Sequence, residues 1–177
     1  MNPRILPFLI FGAFICGAKD AAAIPRHLYG KSVVVTWSED RIQRDGGVGA
    51  FRPVTAAHNL SVYMSTAGRP FARMTNTTRA GSGSTERAPH SGGGRISTSF
   101  SGQTLVVIIG GAGNARRATI TFSGDYAACT AQLVRAKPVG SAMFTSTSII
   151  TGQLVETKSV TVRNQSCSIR EGNVFAP

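Results

Sequence analysis

Apolar and polar residues alternate along most of this chain, with the period of two that a β-strand with one buried face requires. The alternation is clearest at 59–65 and at 116–122, where Ser and Thr separate larger apolar side chains. Turn residues rich in Gly, Asn and Pro lie at 67–70, after the first of these stretches, and at 110–114, before the second, and they favour hairpins at both places. After residue 23, no stretch repeats apolar residues at helical spacing over three turns. The pattern therefore predicts an all-β fold.

The spacing of these segments predicts eight or nine short strands joined mostly by short connections. Such an order is typical of a single antiparallel meander barrel or a barrel-like sandwich of about eight strands, and both alternatives stay open. We expect the last strand to lie beside the first, which begins near Ser32. Asn164 and Gln165 are expected to form a turn between two short strands near the C-terminus.

The first 23 residues have the three parts of an export signal. Arg4 provides a positive start, an apolar run of fewer than about 20 residues follows, and small residues end at Ala23. We expect cleavage there, which assigns 1–23 to a signal peptide and 24–177 to a single all-β domain. The expected location is periplasmic or secreted, with no transmembrane segment left after cleavage.

One segment of this domain differs from the rest. Residues 79–94 contain five glycines and no aliphatic side chain larger than Ala. Because such a segment buries little apolar surface to offset the entropy of ordering, we expect a mobile loop within the domain.

Two cysteines, Cys129 and Cys167, remain once the signal is removed. Each shares the parity of apolar neighbours on its strand, so both are expected to face the interior. In an oxidising compartment an even pair predicts one disulfide, worth on the order of 4 kcal/mol in the chain-entropy model. Two buried free thiols are the alternative, and a zinc site has too few ligands nearby.

The chain is strongly basic, with a formal net charge of +11 that falls to +10 when Arg4, Lys19 and Asp20 leave with the signal. Such a charge attracts anionic polysaccharide or lipid headgroups, or it serves solubility alone. Nucleic acid is not expected as a partner, because few aromatic residues accompany the arginines. The candidate arginines for an anionic partner are Arg69, Arg73, Arg95, Arg116 and Arg117.

No catalytic, cofactor-binding or metal-binding residues are predicted. The three histidines lie in separate segments, and Glu39 and Asp40, as neighbours in a strand, point to opposite faces. The sequence therefore favours a protein that is not an enzyme and has no cofactor. A hydrolase that uses His58 beside a carboxylate is a remaining alternative, and a barrel carrying a small apolar ligand is another.

Four segments, GKSVVVTWSEDR, NTTRAGSGS, FSGDYAACTAQLV and SCSIREGNVF, resemble a group of small secreted proteins of Gram-negative soil bacteria. The resemblance covers nearly the whole domain and implies export, but no known activity accompanies that group. The sequence thus predicts an exported binding or structural module that engages anionic envelope or extracellular polymers through an arginine-rich surface.

Overall fold

A computed structural model of the 177-residue chain describes residues 23–80, 85–91, 96–110, 115–135, 143–147 and 152–175, with side chains undescribed at 79, 80 and 85–91. A short 3-10 turn, Arg26–Leu28, precedes the strands. Ten strands follow in the described residues: β1 (Lys31–Asp45), β2 (Arg52–Met64), β3 (Pro70–Ala80), β4 (Thr85–Ser91), β5 (Ile96–Ser101), β6 (Thr104–Ile109), β7 (Arg116–Phe122), β8 (Cys129–Arg135), β9 (Phe144–Thr147) and β10 (Leu154–Glu171).

The strands form two antiparallel sheets. The first sheet has the order β4-β3-β2-β1-β10-β9, and the second is the meander β5-β6-β7-β8. The prediction that the last strand lies beside the first is confirmed, since β10 pairs with β1 from Lys31↔Glu171 to Asp45↔Val155. Both predicted hairpins are present as β2–β3 and β6–β7.

One hydrophobic core joins the two sheets. Val35 and Leu60 of the first sheet and Val107 and Ile120 of the second are fully buried in the same apolar cluster. Side chains from both inner faces fill this space, as in a sandwich. The prediction of an all-β fold is confirmed. The closed barrel is wrong for the part of the chain described here, because its hydrogen-bonded strands belong to two separate sheets.

The predicted disulfide is present and links the two sheets, from Cys129 of β8 to Cys167 of β10. Beside it, the Gln165 side chain accepts a hydrogen bond from the backbone N–H of Leu133 at 2.8 Å. The outer edge of β8 would otherwise expose this N–H without a partner strand. The contact between β8 and β10 is therefore made by side chains and a covalent bridge, without a shared ladder.

The expected turn at Asn164 and Gln165 is instead a bulge within one continuous strand. Thr36 pairs with Ser166 and Ser38 with Arg163, so two residues of β10 oppose Trp37 alone. Asn164 takes a positive φ of 52°, which Asn tolerates better than most residues. The extra residue reverses the parity of the strand, so that Val162 and Cys167 both face the core.

Part of the predicted loop at 79–94 is also regular. Residues 85–91 form β4, which pairs with β3 from Arg73↔Ser91 to Arg79↔Thr85. Main-chain hydrogen bonds build this hairpin strand without large apolar side chains, and the mobility of the segment stays a prediction. Residues 81–84 and 92–94 of that segment, like the predicted signal apart from Ala23, lie outside the described residues. In the described part of the chain, no helix is long and apolar enough to cross a bilayer.

Candidate functional site: a buried arginine cluster and an open groove

Charged side chains occupy the inner face at one end of the sandwich. Val35, Trp37, Glu39 and Arg41 follow one another on the inward face of β1, where the side chains change from apolar to charged. The inward face of β7 changes in the same way. Phe122, Ile120 and Ala118 are apolar, and Arg116, at the start of the strand, is charged. These two ends lie opposite each other across the gap between the sheets, and they bring the charges together.

Five side chains make up this site, here named the Glu39 cluster: Glu39, Arg41, His58, Arg116 and Arg135. The Glu39 carboxylate is 1% exposed and accepts hydrogen bonds from Arg41 Nε at 2.8 Å and from Arg116 Nε at 2.8 Å. Arg135 Nη1 lies 3.5 Å from Oε2 of the same carboxylate. One carboxylate on the first sheet is thus held by a guanidinium of its own strand and by two from the second sheet.

Aromatic rings enclose the cluster on two sides. The Trp37 indole donates to Glu39 Oε1 at 3.2 Å, and its ring stacks on His58 with centroids 4.8 Å apart. The Arg135 guanidinium lies 4.7 Å from the ring centroid of Phe144. These rings exclude water from the charges, which strengthens the ion pairs and raises the cost of leaving any of them unpaired.

The protonation of His58 follows from its neighbours. Its Nε2 lies 2.7 Å from Arg41 Nη2 and 3.5 Å from Glu39 Oε2. Because a guanidinium can only donate, Nε2 must accept from Arg41, and the proton of the neutral ring lies on Nδ1. Burial, opposed by Glu39 and reinforced by Arg116 and Arg41, lowers the pKa of His58 to about 4. Nδ1 is buried and has no hydrogen-bond partner among the described residues.

The Glu39 carboxylate stays ionised at any ordinary pH. Burial by itself raises its pKa, but the charges of Arg116 and Arg41 and the hydrogen bond from Arg116 outweigh burial and hold the pKa far below the usual value. For Arg41, burial outweighs the attraction of Glu39 and lowers the pKa. Burial and the repulsion from Arg116 and Arg41 lower the pKa of Arg135 to about 9.

The second candidate site is a groove where the sandwich is open, between β3 and β5. It has a volume of about 370 Å³, and here it is named the β3–β5 groove. Phe71 lines it with 54% of its surface exposed, and Arg73 places its guanidinium 5.1 Å from the ring centroid of Phe175. Pro70, Ile96 and Thr98 also line the groove. The groove therefore combines exposed aromatic surface with a positive charge.

The predicted arginines are distributed over several surfaces. Arg73 lies in the groove, and Arg69 is exposed in the preceding turn, next to Pro70. Arg117 is exposed on the outer face of the second sheet, whereas Arg116 points inward to Glu39. Arg95 lies outside the described residues. The structure thus gathers Arg69 and Arg73 at one end of the molecule and separates them from Arg117.

Sequence reasoning missed Glu39, Arg41 and Arg135 as members of a site. A signal was present, because Glu39 continues the parity of Val35 and Trp37 and should be buried if the strand is regular. The alternation could not show that arginines from β7 and β8, far away in sequence, would meet this carboxylate.

In the described part of the chain, no three His, Cys, Asp or Glu side chains lie close enough to share a metal ion. The fold and the two sites define an all-β, two-sheet protein with a disulfide between its sheets. In comparisons with known proteins, no protein-family model, curated protein or solved structure matches the chain. The resemblance to small secreted proteins of Gram-negative soil bacteria therefore stays a prediction.

Proposed function

We propose that the protein is an exported, non-enzymatic binding module that holds an acidic polysaccharide in the β3–β5 groove. The observation that carries this proposal is the pairing of Arg73 with exposed aromatic surface in a groove of about 370 Å³. This volume lies within the range of sites that bind small groups, roughly 300–1,000 Å³.

The two kinds of side chain in the groove suit the two parts of an acidic sugar. The Arg73 guanidinium provides paired N–H donors for a carboxylate or sulfate group. Phe71 provides a flat apolar surface on which the C–H face of a sugar ring packs. Among the described carboxylates, none pairs with Arg73 or Arg69.

Export is supported by the disulfide, because such bonds persist mainly in oxidising compartments. A binding role is favoured over hydrolysis by the state of His58, which lies beside the Glu39 carboxylate. The His58 side chain is fully buried, it is neutral at ordinary pH, and its Nε2 lone pair is occupied by Arg41. A substrate could not reach this ring without opening the core.

The test is the affinity for polygalacturonate, compared with neutral dextran, measured by calorimetry at low and at high salt. We expect salt-sensitive binding of polygalacturonate and none of dextran. Arg73→Gln should weaken binding by about tenfold or more, which is the loss of one charge-assisted hydrogen bond. Phe71→Ala should also weaken it, whereas Val134→Ala, at a similarly exposed apolar residue on the second sheet, should not.

Arg117→Gln is the matched control, since it removes the same charge from the outer face of the other sheet. We expect it to change the affinity by less than about twofold. Equal losses in Arg73→Gln and Arg117→Gln would mean that net charge alone drives binding, and the groove would be rejected. Binding to vesicles of anionic phospholipid but not to polygalacturonate would replace the polysaccharide with a lipid surface.

A further inference from the structure

We propose that the Glu39 cluster is a second binding site, specific for one small tetrahedral dianion of the phosphate or sulfate class. This site is separate from the β3–β5 groove and does not depend on the function proposed for it. Two observations support this site: positive charges are concentrated at one end of the sandwich, and the other described carboxylates lie outside the cluster.

The cluster carries more positive than negative charge. Arg41, Arg116 and Arg135 contribute three positive charges, Glu39 contributes one negative charge, and His58 is neutral because its pKa is lowered to about 4. The formal charge is therefore +2. The guanidinium side chains are 10%, 12% and 4% exposed, so water screens this excess only weakly.

The other described carboxylates lie outside the cluster. Four of them have cationic partners of their own: Asp40 pairs with Arg163, Asp45 with Arg52, Glu156 with Arg44, and Glu171 with Lys31.

The remaining acids do not change this balance. Asp125 lies in the turn before β8, at the other end of that strand from Arg135. In the register, Glu86 is three strands away from Glu39, roughly 14 Å at the usual spacing of about 4.8 Å. The segments that follow β6 and β8, residues 111–114 and 136–142, contain no Asp or Glu in the sequence.

The donors of Arg41 and Arg116 also exceed the acceptors described for them. These two guanidiniums bring about 10 N–H groups, whereas the Glu39 carboxylate accepts about four hydrogen bonds and His58 Nε2 accepts one. A tetrahedral dianion supplies both missing quantities, since it carries two negative charges and several acceptor oxygens. Solvent reaches the cluster through Arg41 and Arg116, the more exposed of the three arginines.

The first experiment measures binding of inorganic phosphate and of sulfate by calorimetry, with protein prepared free of both ions at neutral pH. We expect one ion per chain, and a rise in the unfolding temperature that grows with ion concentration as ligand linkage requires. Methyl phosphate distinguishes the source of the ligand. If it binds as well as phosphate, the site accepts the end of a phosphate ester, and if it does not, the site takes a free ion.

Variants locate the site. Arg41→Gln should weaken phosphate binding by about tenfold or more, through loss of one charged donor. Arg44→Gln is the matched control, because Arg44 lies on the same strand but pairs with Glu156. The affinity of this variant for phosphate should change by less than about twofold. Arg73→Gln should leave phosphate binding unchanged, which separates this site from the groove.

Glu39→Gln gives a test that survives a loss of stability. Removing the carboxylate raises the formal charge of the cluster to +3, so phosphate should stabilise this variant more than it stabilises the unaltered chain. Equal stabilisation of both chains, equal stabilisation by chloride and phosphate at matched ionic strength, or no binding of either dianion would overturn the proposal.

Discussion

The Arg116 guanidinium contacts both oxygens of the Glu39 carboxylate, with Nε 2.8 Å from Oε1 and Nη2 3.4 Å from Oε2. The two residues belong to different sheets and are separated by 77 positions. This ion pair ties β1 to β7 at the end of the sandwich where the apolar core stops. It replaces hydrophobic contact with charge as the link between the sheets.

Loss of the Glu39 charge should be costly. Glu39→Gln in phosphate-free and sulfate-free buffer is expected to lower the free energy of unfolding by about 3–5 kcal/mol, because three nearly buried cations lose their common partner. Urea denaturation measures the change. Asp40→Asn provides the control, since this neighbour pairs with Arg163 near the surface and should cost less than about 1 kcal/mol. Similar costs for the two variants would show that the cluster contributes no more than an exposed pair.

The stability should fall as the pH decreases from about 6.5 to about 4. The pKa of His58 is lowered to about 4 in the folded chain, so the unfolded chain binds a proton in this window that the folded chain does not. The stability present above pH 6.5 should therefore decrease by about 3 kcal/mol at the acid end. Burial is the main cause of this lowered pKa. Of the charged groups that face His58, Glu39 opposes the shift, and Arg116 and Arg41 add to it. Further loss of stability begins below pH 4.5, where Glu39 of the unfolded chain is protonated.

Trp37 reports this titration directly, because it is the one tryptophan of the chain and stacks on His58. Its fluorescence should change with an apparent pKa near 4. His58→Gln, whose side-chain oxygen can still accept from Arg41, should remove both the fluorescence change and the loss of stability in this window. His27→Gln should retain both. Retention of the pH dependence in His58→Gln would assign it to another group.

The disulfide should contribute on the order of 4 kcal/mol, since it closes a loop with a sequence separation of 38 residues. The double substitution Cys129→Ala and Cys167→Ala should lower the urea midpoint accordingly. Reductant should destabilise the unaltered chain to the same extent and have no effect on the double variant. A further effect of reductant on the double variant would point to a cause other than this bond.

Gln165→Ala should destabilise the edge of the second sheet by about 1 kcal/mol, because the Leu133 N–H loses its acceptor. Hydrogen exchange at the Leu133 amide should become faster, while exchange in β1 stays slow. Gln132→Ala, an exposed residue on the same strand, should change neither quantity. Unchanged exchange at Leu133 would mean that water replaces Gln165 without cost.

The local pattern predicted those features that depend on a few neighbouring residues. Alternation predicted the hairpins β2–β3 and β6–β7, and the parity of Cys129 and Cys167 predicted a bridge between inward faces. The prediction was wrong at Asn164 and Gln165. These residues form a bulge and not a turn, because β10 pairs with β1 on both sides of them and stays one continuous strand.

By itself, the sequence determined the all-β class, the approximate positions of most strands and the cysteine pair, because side-chain parity and turn residues act within a few positions. Only the tertiary structure decided that the strands form two sheets and that Arg116 points inward while Arg117 faces solvent. It also decided that Arg116 and Arg135 meet Glu39. The physical reason is that such contacts depend on how two whole sheets pack, and on the joint cost of burying charges that lie 77 or more residues apart along the chain.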